Sequence, residues 1–268
     1  MSANQNSRHP KPASRHPKPA NGNVGHEATE STAAPSRRPA PVTGGALAAN
    51  ELTKDYGDRP ALAPLTLHIP VGQRVAVVGH NGSGKTTLIR MAAGLLDCSG
   101  GTVHIMGHES GSTEARRALA YLSDNPSFYD DLSLWEHLEY VARLHGVDEW
   151  DQTAADLLGH LGLYDRADDL PNTFSRGLRQ KAAIALAFVR PFELLLVDEP
   201  FVGLDAAGKS GLLDLLDQAA DDGATLVVAT HELSYVDRVS RLIALRDGEL
   251  VHDGSPSDAV VADLVAPA

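Results

Sequence analysis

The sequence predicts an α/β fold with a mostly parallel sheet at its core, and three observations predict it. Short aliphatic runs at Arg74–Val78, Leu194–Val197 and Leu226–Ala229 read as strands buried on both faces. Helix-patterned segments separate these runs, as a parallel sheet covered by crossover helices requires. A glycine-rich loop from Gly79 to Gly84 joins the first run to a helix predicted from about Lys85 to Leu95.

With 268 residues, 43% hydrophobic and 22% charged, the chain is long and apolar enough for one α/β domain plus appendages. Aromatic residues make up only 5%, so aliphatic side chains must fill the core. A net charge of −12 argues against a surface built for nucleic acid, because phosphate backbones demand basic patches. The lone cysteine, Cys98, excludes an internal disulfide and fits a reducing compartment. No apolar run approaches the ~20 residues of a spanning helix. No apolar segment follows the basic N-terminal residues, as a secretory signal would need. Service to a membrane is therefore expected to run through a partner.

Residues 1–45 stand apart. Ser7–Ala13 reads Ser-Arg-His-Pro-Lys-Pro-Ala, and Ser14–Ala20 repeats it. Seven of the sixteen prolines fall in this stretch and large apolar residues are almost absent, so it is expected to be a disordered tail, partly polyproline II. Six basic residues against two acidic ones give it a net +4, which leaves the rest of the chain at −16. Such a tail could touch anionic lipid headgroups. A solvated tail without a defined partner is the plainer reading.

Residues 46–268 are then the folded domain. Two β-rich stretches, Leu47–Leu52 and Leu65–Ile69, precede the strand Arg74–Val78, and Thr102–Met106 and Leu119–Leu122 read as further short strands. A helical region over roughly Ser133–Val189 opens with a capping box, Ser133 and Glu136. Its Leu134, Leu138, Val141 and Leu144 form one apolar stripe, assigned to the core. A helix around Ala206–Ala220 separates the last two aliphatic strands. Asp247-Gly248, between Leu242–Leu245 and Glu249–Val251, reads as a closing hairpin.

The loop Gly79-His80-Asn81-Gly82-Ser83-Gly84-Lys85-Thr86, with Thr87 next in line, fits G-x-x-x-x-G-K-[ST]. Its glycines let successive N–H groups converge on phosphates, and the helix that follows adds its positive end. Lys85 supplies a full charge, and Thr86 a hydroxyl for Mg²⁺. Further on, Leu194–Val197 delivers Asp198 and Glu199 at a strand's C-terminal end, where open α/β sheets bind ligands. Asp198 suits Mg²⁺, and Glu199 suits polarising an attacking water. Together the two elements indicate a P-loop NTPase. His104 and His108 lack further ligands, so no zinc site is expected.

Between those elements, Phe174-Ser175-Arg176-Gly177-Leu178-Arg179-Gln180 resembles the ABC signature usually written LSGGQ. Its basic third and aliphatic fifth places look like variants in bacterial exporter-type ABC ATPases, and Pro200–Asp205 looks most like the Ecs-type group. The resemblance covers about residues 46–255, with the motifs in the family's order. It implies an N-terminal antiparallel β subdomain and an inserted helical signature subdomain, about 124–190. It also implies two ATP molecules clamped between two copies or a heterodimer, each γ-phosphate facing Ser175, Arg176, Gly177 and Leu178 of the other subunit. Arg176 departs from the family's glycine. Gly203-Leu204-Asp205 resembles the D-loop that crosses the dimer interface. His231, after Leu226–Ala229, matches the switch histidine. Tyr56, 23 residues before Gly79, occupies the place of an aromatic that stacks on adenine. The family's Q-loop glutamine is replaced by Asp124, in Ser123-Asp124-Asn125-Pro126. A carboxylate there can only accept hydrogen bonds and brings charge toward phosphates, so Asp124 is expected to meet Mg²⁺, directly or through water. A mere loop residue is the rival reading.

The implied function is the ATPase subunit of an ABC transporter, at the cytoplasmic face of the membrane through a separate integral permease, with export as the direction. An ABC ATPase acting on nucleic acid or the ribosome is the alternative. It usually carries two cassettes or a long coiled-coil insertion, and the acidic body weighs against it. A small-molecule kinase would share the phosphate loop but has no use for the signature, D-loop and histidine together.

Overall fold

Side chains alternate along a strand, and the central strands here use both faces on apolar cores. In the computed structural model, which describes residues 44–57 and 60–256, the elements run in the following order. β1 (Leu47–Asp55), β2 (Pro60–Ile69), β3 (Arg74–Val78), α1 (Lys85–Ala92), β4 (Gly100–Ile105) and β5 (His108–Glu109) come first. α2 (Thr113–Ala118), β6 (Leu119–Leu122), α3 (Leu134–Leu144), α4 (Asp151–His160) and α5 (Arg176–Phe188) follow. β7 (Leu194–Asp198), α6 (Ala206–Asp221), β8 (Thr225–Ala229), α7 (Leu233–Val236), β9 (Arg241–Arg246) and β10 (Glu249–Gly254) close the chain. The expected tail falls outside the described residues, apart from Gly44 and Gly45.

Two sheets form. An antiparallel sheet has the order β2-β1-β4-β5, and a six-stranded sheet has the order β10-β9-β3-β8-β7-β6. Within the second, β3 runs parallel to β8 and β9, and β7 runs parallel to β6 and β8. Only β10 is antiparallel, joined to β9 through Asp247 (φ 50°) and Gly248 (φ 82°), the two-residue turn that such a pair favours. Ala76, Val78, Leu195, Val197, Leu226 and Val228 point into a core shared with α3, α4 and α5. Val75, Val77, Leu194, Leu196, Val227 and Ala229 point into a second core shared with α1 and the antiparallel sheet. Each fully buried aliphatic contributes about 1.5–3 kcal/mol, so these strands anchor both layers.

The capping box is present: Ser133 Oγ accepts from Glu136 N, and Glu136 Oε2 accepts from Ser133 N. The stripe behind it is shorter than expected. Leu134 and Leu138 are buried, Val141 is half-buried, and Leu144 is 67% exposed. Ala142 and His137 take the inner face instead. His137 is tolerated because both ring nitrogens have partners, Tyr129 N at 2.9 Å and Ser133 O at 2.8 Å. Helix α1 stops short of Leu95, where Gly94 turns at φ 69° against Gly111.

Candidate nucleotide site

The loop after β3 is shaped by three left-handed glycines, Gly79 (φ 149°), Gly82 (φ 84°) and Gly84 (φ 105°). At Gly79 a Cβ would lie 2.2 Å from Leu245 O, so only glycine fits. The β9–β10 turn supports the loop from outside: Gly248 N donates to Ser83 O at 3.1 Å, and Asp247 lies 3.3 Å from His80 Nε2. Asn81 is exposed at the tip, while Thr86 and Thr87 are half-buried in the first turn of α1. Lys85 is buried and folds back, donating to Gly79 O at 2.7 Å and His80 O at 3.3 Å.

β7 and β8 bring the acids and the histidine to the same end of the sheet. Asp198 is fully buried, and its Oδ1 accepts from Thr86 Oγ1 at 3.1 Å. Burial pushes its carboxyl up to about 6; Asp124 and Glu199 add to that push, and the Thr86 bond and Lys85 oppose it. Glu199 sits at φ 46°, with its N–H held by Ala229 O at 2.8 Å. A non-glycine residue there costs about 1–2 kcal/mol, offset by the strand that holds it. Its carboxylate spans Lys85 Nζ at 3.5 Å and His231 Nδ1 at 3.0 Å. His231 is 59% exposed, carried by Thr230, whose N–H donates to Val77 O at 3.0 Å. Five predicted side chains thus converge: Lys85, Thr86, Asp198, Glu199 and His231.

The donor chemistry fits Mg²⁺. Asp198 Oδ2 is buried without a hydrogen-bond partner while Oδ1 accepts from the Thr86 hydroxyl, oxygens that suit a hard cation. Asp124, half-buried, accepts from Ser123 Oγ at 3.2 Å. Gln180 Nε2, on α5, reaches Ser123 O at 3.5 Å. Tyr56 is 66% exposed, with Lys54 Nζ 5.1 Å from its ring centroid.

The signature segment lies elsewhere. Ser175 caps α5, its Oγ accepting from Leu178 N at 3.4 Å. A Cβ on Gly177 would sit 2.6 Å from Gly203 O, and the Arg176 stem covers Gly203. Asp205 caps α6 through Gly208 N at 2.8 Å and pairs with Lys181 Nζ at 3.0 Å. These hold its carboxyl below the usual carboxylate range, the Gly208 bond most of all. The α5 tip and the 203–205 loop are therefore locked together, a linkage that sequence reading missed. The glycine pair Gly177/Gly203 was its one visible signal. Among the described residues no hydrogen bond or ion pair joins Ser175–Leu178 to Gly79–Thr87.

A phosphate cradle after β3, an acid pair at the end of β7 and a histidine after the intervening β8, set against the second acid, define a P-loop nucleotide hydrolase. The family described as ABC transporter matches residues 62–202. The uncharacterised ABC transporter ATP-binding protein YdbJ of Bacillus subtilis is 35% identical over 203 residues, 74% of this chain and 66% of its own length. The ABC-type transporter ATP-binding protein EcsA of the same organism is 31% identical over 79% of this chain and 88% of its own. A dimeric ATP-binding cassette solved in a post-hydrolysis state with ADP and Pi superposes with a TM-score of 0.72 at 26% identity, covering 78% of this chain and 98% of that one. The chain belongs to the ABC transporter family, as an ATP-binding subunit and ABC ATPase. Among the described residues no helix is long and apolar enough to cross a membrane.

Proposed function

We propose that the chain, residues 46–268, works as a pair, each nucleotide held by one subunit's Gly79–Thr87 and capped by the other's Ser175–Leu178. The observation that carries this reading is the division of the site. Lys85, Thr86, Asp198, Glu199 and His231 interlock within one chain, while among the described residues Ser175 caps its own helix and Gly177 and Lys181 meet the Gly203–Asp205 loop. A γ-phosphate offered to both subunits holds the pair closed, and its loss removes the shared contact.

Thr86 and Asp198, with Asp124 beside them, would hold Mg²⁺, which supplies charge neutralisation for the phosphates when bound. Glu199 accepts a proton from the attacking water, and His231 keeps the Glu199 carboxylate and the γ-phosphate in line. Tyr56 stacks on the base. Coupling to a separate membrane permease, at the cytoplasmic face, fits the groove of about 530 Å³ lined by Tyr121, Ser123, Pro126, Phe128 and Val141. That groove adjoins Asp124, whose charge is felt at Asp198, so a partner seated there can sense the nucleotide. The Arg176 and Leu178 variant supports export as the direction.

The test is a pair of cysteines, Asn81→Cys and Ser175→Cys, in a Cys98→Ser background. Oxidation with ATP present should yield disulfide-linked dimers, and without nucleotide few. Linkage within one chain, or none with ATP, would contradict the reading.

A further inference from the structure

The repeat at Ser7–Ala20 belongs to none of the nucleotide motifs, and a sizeable groove also lies away from that site. A groove of about 1060 Å³ opens at the N-terminal ends of β7 and β8, across the sheet from Asp198. Its floor carries Phe188 at the end of α5 and Phe192 just before β7, ring centroids 5.5 Å apart and edge-to-face. Its lining carries four acids, Asp156 from α4, Glu193, Asp214 from α6 and Asp222, against Arg190 and His160, so acids predominate.

We propose that this groove docks the chain's own N-terminal segment, through one of the Ser-Arg-His-Pro-Lys-Pro-Ala repeats at Ser7–Ala20. The chemistry is complementary. Proline rings pack on aromatic faces, and a proline-spaced segment loses little entropy on ordering. Each repeat places Arg and Lys about its prolines with no acid among them, opposite a lining in which acids predominate, on a body of net −16. Reach is not limiting. The 24 residues from Ala20 to Gly44 can extend roughly 80 Å, more than the ~45 Å breadth of a domain of this size. A tether of that length gives an effective concentration on the order of 1 mM, so a weak contact suffices. Docked there, the segment bridges α4 to α6, the helical layer to the nucleotide-binding core.

The test uses the full chain. Carbodiimide joins lysine amines to carboxylates in direct contact, and mass spectrometry maps the links. The expected result is that Lys11 or Lys18 links to Asp156, Glu193, Asp214 or Asp222 in preference to the other acids, and that 0.5 M NaCl weakens the linkage at least several-fold. Replacing Pro10, Pro12, Pro17 and Pro19 by serine, which leaves charge and the folded domain untouched, should lower the groove links by a similar factor. Links spread over all exposed acids, or unchanged in the proline variant, would overturn the proposal. So would links between isotopically distinct copies, or a tail that cross-links to the body only weakly and binds phosphatidylglycerol vesicles instead.

Discussion

The two halves of the proposed nucleotide site are built differently. At the sheet's C-terminal edge the side chains hold one another: Lys85 on Glu199, Glu199 on His231, Thr86 on Asp198. At the α5 tip, Ser175 spends its hydroxyl on capping, and Gly177 and Lys181 hold the Gly203–Asp205 loop. The first half is a preorganised electrostatic cradle. The second is a rigid edge offered outward, with free N–H groups at a helix start. The difference teaches that the hydrolytic groups interlock within one chain, whereas the α5 tip, in the proposed pair, would act across the gap between copies.

The largest expected effect attacks the cradle. Lys85→Ala removes the buried ammonium of the Gly79–Thr87 loop and should lower hydrolysis at least about 10³-fold, read by phosphate release, with ATP affinity falling too. Attacking the edge should leave binding to the single chain intact. Ser175→Arg is expected to cut turnover on the order of 10²-fold while the Kd for ATP, by a fluorescent analogue, moves less than about threefold. An equal loss of binding would erase the distinction between the halves. Gly177→Ala drives a methyl into Gly203 O and should cost about 1–3 kcal/mol in chemical denaturation, with a smaller loss of turnover than Ser175→Arg.

Acidity sharpens the comparison, since the strongly raised carboxyl is in the cradle. Asp198 has a folded-state value near 6, above that of the unfolded chain, so its ionisation opposes folding. In metal-free protein its contribution is fully present below about 4 and is lost as pH rises through 6. The stability of the wild type relative to Asp198→Asn should therefore fall by on the order of 2 kcal/mol between pH 4 and pH 7, measured by urea unfolding. A flat difference would mean the site does not strain this acid. The smallest effect is expected at Asp124. Asp124→Gln should keep ATPase activity within about threefold, since either side chain offers an oxygen to the metal site. Near-total loss would show that the carboxylate is indispensable.

Much of the fold was legible because its signals are local. An aliphatic strand ending in a glycine loop, or in Asp198-Glu199, announces both the element and the chemistry in a few residues. The pieces that escaped are short or long-range. α2, Thr113–Ala118, has six residues, too few for a helical period to repeat. Leu144 continues the stripe by spacing, yet it sits in the final turn of α3 with nothing over it, and His137 enters the core because Tyr129 N and Ser133 O satisfy it. The Lys181–Asp205 pair and the turn at Gly248 under Ser83 join residues far apart in sequence, which no local pattern encodes. Of the site, positions on strand ends were readable by motif. The isolation of Ser175–Leu178 from the cradle needed coordinates.

The most direct test uses Glu199→Gln, which retains the shape of the site but cannot take up the water's proton. Saturated with MgATP and examined by light scattering, it should become a dimer, and it should fall back to monomer when ATP is replaced by ADP. A variant that binds MgATP yet stays monomeric, alone and together with its membrane partner, would contradict the account.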